Sequence, residues 1–401
     1  MKVCQINATY GFGSTGLIAK EINDLALSNQ IETLSCAQYS NCDSFIIGNK
    51  LDWKFHALFT RAIGKQGYAS RLPTRKLIKY LRKERPDLVH LHNLHSNYIN
   101  LKMLFKFLAE SKTNVVITLH DCWFFTGKCF HFVETNCDNW QNYCHNCPQK
   151  HHSINSLFFD QSKKVFFDKK KLYESCSKLT VVGCSNWITS LAKRSPLLRN
   201  ANILCIHNGV DTSIFNINVN SESMKQKYQL NNKFVILCFA NKLLNSKNED
   251  IKNKLMNSLC NDYILLVVGC SKRQIEILGH YQNVTCVEYI ENQKTMSELY
   301  KSADVFINLT LADTLPTVNM ESICCGTPVV TYNSCGSPEL IEEGKTGFVI
   351  NQFDFDSLMD RINKIKSGYI DRKECSLIGV NSFDKNKQYQ NYVDLYKELV
   401  K

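Results

Sequence analysis

VFINLTLADTLPTVNMESICCGTPVVT, residues 305–331, decides the fold. An apolar run at 305–308 leads into a polar loop carrying Asp313, then a helix-length segment with Glu321 on its first turns, then a second apolar run at 329–331. Strands buried on both faces of a parallel sheet read as continuous apolar runs, and a crossover helix must separate two of them. The stretch is therefore a strand, helix, strand unit. The alternation continues upstream, with apolar runs at 3–7, 88–91, 115–119, 179–182, 234–239 and 265–269, each followed by an amphipathic stretch of helix length, and a further run at 203–206. The fold class is α/β. No self-similarity at a period of about 20 to 50 residues accompanies it, which excludes solenoids.

A chain of 401 residues exceeds the size at which one core keeps growing, so two domains are expected. The strand series restarts after the turn Asn208-Gly209-Val210-Asp211 and a polar stretch at 216–232. This places a first domain at 1–207, with a cysteine-rich insertion at 122–147, and a second at 208–383. The tail, 384–401, reads as a helix with Tyr389, Tyr392, Leu395, Tyr396 and Leu399 in one apolar stripe, able to pack on either domain, including back on the first. Ligands of such sheets bind at the carboxyl ends of the strands, so two facing sheets would hold a substrate in the cleft between them.

The opening Met1-Lys2-Val3-Cys4-Gln5-Ile6 reads as a strand running into a glycine turn, not as a signal peptide, and no run of about 20 apolar residues occurs in the chain. A cytoplasmic protein is expected. Its 19 cysteines are spread along the chain, many inside apolar runs, as reduced core thiols are. The formal charge of +11 suits nucleic acid, an anionic membrane face or phosphate-bearing substrates. Arg75, Lys76, Lys79, Arg82, Lys83 and Arg85 ride on a helix whose Leu77, Ile78 and Leu81 point inward, giving a basic outer face. That face is either simply solvated or in contact with anionic lipid, as the amphipathic stretch 53–63 also suggests. No nucleic-acid partner is expected, because neither aromatic interleaving nor zinc-finger spacing accompanies the charge.

Five stretches carry chemistry. Gly11-Phe12-Gly13-Ser14-Thr15-Gly16 lies between the first strand and a helix, where glycines let amides approach a ligand and the helix start attracts an anion. Its spacing alone is weak evidence, no carboxylate stands in the place expected of a dinucleotide site after a second clear strand, and a tight structural turn is the alternative. His120-Asp121 ends the strand at 115–119, where a histidine either hydrogen-bonds a sugar hydroxyl or caps the strand. His90, His92 and His95 read as structural or acceptor-side residues. Lys242 and Lys247 come just after the first strand of the second domain and suit a departing diphosphate. Asp313 and Glu321 suit sugar and ribose diols, since a carboxylate accepts two hydrogen bonds, while Thr314-Leu315-Pro316-Thr317 and the helix start suit phosphate. Finally, Cys129, Cys137, Cys144 and Cys147, with Cys122, His131 and His145 nearby, are read as a structural zinc set, as reduced packing thiols, or as a redox pair.

Taken in order, these stretches resemble one family, the retaining glycosyltransferases of family 4 with the GT-B fold of two Rossmann-like domains. Asp313 and Glu321 resemble its pair of acids with seven residues between them, and Cys325-Gly326-Thr327-Pro328-Val329-Val330 and Gly336-Ser337-Pro338-Glu339 resemble the family's segment carboxyl-terminal to that pair. Ile206-His207-Asn208-Gly209-Val210-Asp211 is similar to its interdomain turn. Arg85-Pro86-Asp87-Leu88-Val89-His90-Leu91-His92-Asn93 and Thr118-Leu119-His120-Asp121-Cys122-Trp123-Phe124-Phe125-Thr126-Gly127 resemble a bacterial subgroup making capsular, exopolysaccharide or colanic-acid-like chains.

The resemblance implies transfer of a sugar from a UDP- or GDP-sugar to a glycan or lipid-linked acceptor, with no cofactor required for catalysis. It further implies that Lys242 and Lys247 bind the donor diphosphate, Asp313 the transferred sugar, Glu321 the ribose and His120 the sugar near the reacting carbon. Gly13, Ser14 and Thr15 would add donor contacts. The family usually has arginine at the position of Lys242, glycine at that of Asn248 and often glutamate at that of Asp313. Lysine keeps the charge and loses the bidentate fork. A nucleotide-sugar epimerase or phosphorylase on the same fold, and a nonenzymatic component of a polysaccharide-assembly complex, are the rival readings.

Overall fold

A computed structural model describes residues 1–152 and 154–401. The chain forms two compact units, Met1–Asn208 with Gln388–Lys401, and Gly209–Lys387. The first is built on seven parallel strands: β1 (Lys2–Tyr10), β2 (Glu32–Ser40), β3 (Phe45–Ile46), β4 (Leu88–Leu91), β5 (Asn114–Leu119), β6 (Leu179–Gly183) and β7 (Asn202–Cys205). Their order across the sheet is β3-β2-β1-β4-β5-β6-β7. The second has six: β8 (Phe234–Phe239), β9 (Tyr263–Val268), β10 (Val284–Val287), β11 (Val305–Asn308), β12 (Val329–Tyr332) and β13 (Gly347–Ile350), ordered β10-β9-β8-β11-β12-β13. Both sheets reverse direction of growth once, between β1 and β4 and between β8 and β11. A ligand crevice opens at the carboxyl ends of the strands flanking such a switch.

Every apolar run of the sequence becomes a strand, but β2, β3, β10 and β13 are additional. The reason lies in position. β3, β10 and β13 are sheet edges, and β2 (ETLSCAQYS) has only the two-residue β3 outside it. Strands covered on fewer sides tolerate polar residues and lose the continuous apolar signature.

The terminal helix Lys385–Leu399 belongs for most of its length to the first unit. Tyr389, Tyr392, Val393 and Tyr396 recur at helical spacing and are buried in one cluster with Val3, Ile18, Ile22, Leu88, Val116, Val182 and Ile206. This cluster backs β1, β4, β5 and β6. Its chain connection crosses the second unit, where Asp211 and Lys385 pair at 2.7 Å and Thr212 donates to Asp384 at 2.6 Å.

The helix Arg71–Glu84 buries Pro73, Thr74, Leu77 and Leu81 and leaves Arg75, Lys76, Lys79, Arg82 and Lys83 exposed; Ile78 is only half-buried. The helix Lys50–Ile63, closed at its start by a capping box between Asn49 and Asp52, turns its apolar face outward. Its buried residues are His56 and Thr60, while Leu51, Trp53, Phe55 and Leu58 are exposed. Among the described residues no helix is long and apolar enough to cross a membrane.

Candidate active site

In the second unit the loops after β8 and β11 meet. Lys242 lies on a single helical turn, Ala240–Leu243, that continues β8, and its ammonium donates to Thr310 Oγ1 at 3.0 Å. Asn248 locks this arrangement. Its buried amide donates to Lys242 O and Leu309 O, both at 2.9 Å, and Tyr332 donates to its oxygen at 3.3 Å. Where the family pattern has glycine, this chain therefore has a staple joining three strand ends. Lys247 sits on the adjacent turn, Ser246–Asn248, with its side chain exposed and its backbone N–H bonded to Asn245 Oδ1.

The loop 309–316 carries Asp313 and is held from behind by the segment after β12. Ser334 Oγ donates to Leu311 O at 2.6 Å, and Gly336 N–H to Asp313 O at 3.2 Å. Asp313 Oδ1 accepts the N–H of Leu315 at 3.2 Å, which sets its carboxylate across the turn. Beside it Thr314 is buried with its hydroxyl unpartnered among the described residues. The helix Thr317–Cys324 then starts at Pro316 with no side chain capping it. Its first N–H groups are the kind that phosphate satisfies. One turn in, the Glu321 carboxylate accepts from Tyr300 OH at 3.0 Å. Burial pushes this acid up to about 7, against the lowering effect of the Tyr300 bond.

In the first unit the residues cluster around β4. Gly11 and Gly13 have φ of 80° and 66°, a left-handed turn that side chains resist. A Cβ on Gly16 would lie 2.7 Å from Thr9 Oγ1 and 3.1 Å from the Thr9 carbonyl, so the helix Ser14–Ser28 starts pressed against β1. Asn93 lies just past β4 and donates to Thr15 Oγ1 at 3.4 Å, while its N–H reaches Asn7 Oδ1 at 3.1 Å. His92, immediately before it, is fully buried and bonds His120 at 2.9 Å and Gln5 Oε1 at 2.9 Å. Thr15 and His120 are thus tied to one strand end, with Gly13 and Ser14 on the turn just before Thr15.

Burial drives His120 down to about 4 and His90 to about 3, and holds His92 well below its ordinary value. All three imidazoles are neutral near pH 7, so His120 works as a hydrogen-bonding group rather than a cation. His90 is structural, since Tyr396 OH and Thr118 Oγ1 occupy its two nitrogens at 2.6 and 2.7 Å. His95 pairs with Asp121 at 2.9 Å. Burial raises the Asp121 carboxyl, but His95 and the N–H of Trp123 outweigh it and leave it below the usual range.

The loop behind His120 is pinned by a residue that the sequence did not single out. Lys169 is buried, lies 3.5 Å from the centre of the Trp123 ring, and donates to Trp123 O and Thr126 O at 2.5 and 3.1 Å. Burial lowers it to about 7. Only the fold brings the helix Ser162–Glu174 under this loop, so no local pattern marks Lys169.

None of the cysteines forms a disulfide. Cys129, Cys137, Cys144 and Cys147 lie near enough for the charge of one thiol to act on the next, while among the described residues no group of three or more His, Cys, Asp or Glu side chains is placed to hold a metal ion. Cys129 and Cys144 are instead packed, Cys144 accepting the N–H of Gly127 at 3.1 Å, and burial raises both thiols to about 12.

Two switch-point sheets, one with paired cations, acids and an open helix start at its strand ends, make up the two Rossmann-like domains of the GT-B fold. Residues 54–214 match the family model "Glycosyltransferase Family 4" and residues 220–382 the model "Glycosyl transferases group 1". The chain belongs to glycosyltransferase family 4. It is 22% identical over 277 residues to WcaC of Escherichia coli (strain K12), named for colanic acid biosynthesis, covering 65% of this chain and 64% of WcaC. It is 25% identical over 190 residues to spore coat protein SA of Bacillus subtilis (strain 168), covering 43% of this chain and 50% of that protein. The matches thus span between half and two-thirds of these relatives. In fold it resembles Anabaena Alr3699/HepE, solved with UDP-glucose, with a TM-score of 0.66, 15% identity, and coverage of 99% of this chain and all of that one.

Proposed function

We propose that the protein is a retaining glycosyltransferase that moves a sugar from a UDP- or GDP-sugar onto a glycan or lipid-linked glycan in cell-surface polysaccharide synthesis. The observation that carries this reading is the second unit's strand-end set, in which the Lys242 and Asp313 loops are braced by Asn248, Thr310 and Ser334, and Glu321, bonded to Tyr300, follows on the next helix. Glu321 takes the ribose diol, Asp313 the transferred sugar, and Lys242, Lys247 and the start of the helix at Thr317 the diphosphate. The bond from the anomeric carbon to the phosphate oxygen breaks as the bond to the acceptor oxygen forms on the same face. The acceptor's proton passes to the leaving diphosphate, whose charge the two lysines offset. His120 accepts or donates a hydrogen bond at the sugar, and no cofactor is required. The names of WcaC and of the UDP-glucose complex support the polysaccharide product and the donor class.

The same reading places the protein in the cytoplasm, peripheral on an anionic membrane surface. Exposed Leu51, Phe55 and Leu58 continue into exposed Leu157, Phe158 and Phe159, whose first N–H bonds Arg61 O at 2.8 Å. The basic face of Arg71–Glu84 is linked to that helix through His56 and Ser70 at 2.7 Å. Apolar anchors beside cations suit anionic lipid.

The test is a screen of UDP- and GDP-sugars by thermal shift, then transfer assays with Glu321→Ala and Lys247→Ala in the presence and absence of chelator. A donor that stabilises the protein, a chelator-insensitive product, and loss of transfer in both variants are expected. Parent-rate transfer by the variants overturns the site, and a changed sugar from donor alone identifies an epimerase.

A further inference from the structure

The hydrogen bonds around His92 dictate which nitrogen of His120 is open. Gln5 presents its Oε1 to His92 Nε2 at 2.9 Å, with its own Nε2 buried and unpartnered among the described residues; in this orientation the amide oxygen only accepts, so His92 carries its proton on Nε2. A neutral imidazole has one proton. His92 Nδ1 is therefore an acceptor, and His120 Nε2, 2.9 Å away, must be the donor. This leaves Nδ1 of His120 with a lone pair and, among the described residues, no hydrogen-bond partner. The ring of His92 is packed between its neighbours, tilted against His90 at 4.1 Å and stacked on His120 at 5.2 Å, and His90 is itself held at both nitrogens.

We propose that His92, oriented by Gln5, is a positioning residue that locks His120 as the Nε2–H tautomer and so presents its Nδ1 as an acceptor for a donor-sugar hydroxyl. The proposal rests on the sugar-facing role of His120 given above. A neighbour that sets the tautomer never touches the sugar, yet it decides whether His120 donates or accepts there.

Long-range proton–nitrogen correlation spectra of the full chain, labelled with ¹⁵N-histidine, read the tautomer without any turnover. The His120 signals are assigned by their loss in His120→Asn. The expected parent spectrum has a pyrrole-like Nε2 and a pyridine-like Nδ1 at His120. His92→Ala and, independently, Gln5→Leu move both shifts toward the tautomer average, while His92→Asn, whose side-chain oxygen replaces the lost acceptor, restores the parent pattern. In transfer assays kcat falls about tenfold in His92→Ala, the scale of one lost hydrogen bond, and recovers in His92→Asn, with thermal stabilisation by UDP and GDP unchanged. A proton on Nδ1 of parent His120, or a tautomer insensitive to both His92→Ala and Gln5→Leu, overturns the proposal. If the tautomer is as stated and His120→Asn transfers sugar at the parent rate, the positioning stands and the sugar-facing role of His120 falls.

Discussion

Glu321→Gln separates what this acid costs the fold from what it contributes to binding. The carboxyl is moved from 4.5 to about 7, with burial the cause. Below about pH 4.5 folded and unfolded chains both hold the proton, and the acid has no effect on stability. Between that point and about pH 7 the unfolded chain releases the proton while the folded chain keeps it, so stability falls as pH rises. Above about pH 7 the loss is complete and amounts to at most about 3 kcal/mol, less for a side chain that water partly reaches. Glutamine accepts the Tyr300 hydrogen bond and cannot ionise, so the variant escapes this loss. Melting curves without ligand are expected to show Glu321→Gln gaining on the parent by roughly 3 to 9 °C between about pH 5 and about pH 8, at about 3 °C per kcal/mol. The same change weakens UDP- or GDP-sugar binding by about 10- to 100-fold, since charge-assisted bonds to a diol are lost. A melting difference that stays constant across this pH range refutes the burial argument, whatever its sign at any one pH.

Truncating Tyr392 to alanine removes a buried ring from the cluster beneath β4 and β5 and is expected to cost about 3 to 5 kcal/mol by denaturant titration. Tyr396→Phe, which strips only the hydroxyl from His90, costs about 1 to 2 kcal/mol. Lys242→Ala lowers kcat by about 10²- to 10³-fold in steady-state assays, whereas Lys242→Arg retains more than about a tenth of the parent activity because the charge stays within reach of the diphosphate. Phe55→Glu with Leu58→Glu abolishes cosedimentation with vesicles containing anionic lipid and leaves the melting temperature unchanged, as both side chains are exposed. Retained cosedimentation removes that helix from the membrane-facing surface.

Much of the proposed donor half-site was legible because it is local. Asp313, Thr314 and Glu321 lie on one strand, loop and helix, and a strand end in a parallel sheet already implies exposure to ligand. Lys242 and Lys247 were legible for the same reason, on the turn after β8. The residues that brace them were not. Asn248 read as a departure from a family glycine, yet its three hydrogen bonds hold the loops in place. His92 read as structural or acceptor-side, yet it bonds His120 across 28 positions of chain. The amphipathic stretch over 53–63 was legible as a helix, but its apolar face points to solvent, a direction that periodicity does not encode.

By itself the sequence determined the α/β class, the restart of the strand series after Asn208, and the order of the acids and lysines, since continuous apolar runs and strand-end loops are properties of neighbouring residues. Tertiary structure alone decided that the terminal helix completes the first unit, and that a glutamine on β1 and a histidine after β4 dictate which nitrogen His120 leaves open. The physical reason is one of range. Apolar periodicity is written in successive residues, whereas a buried hydrogen bond needs two polar groups brought together from distant strands, and nothing in either local stretch names its partner.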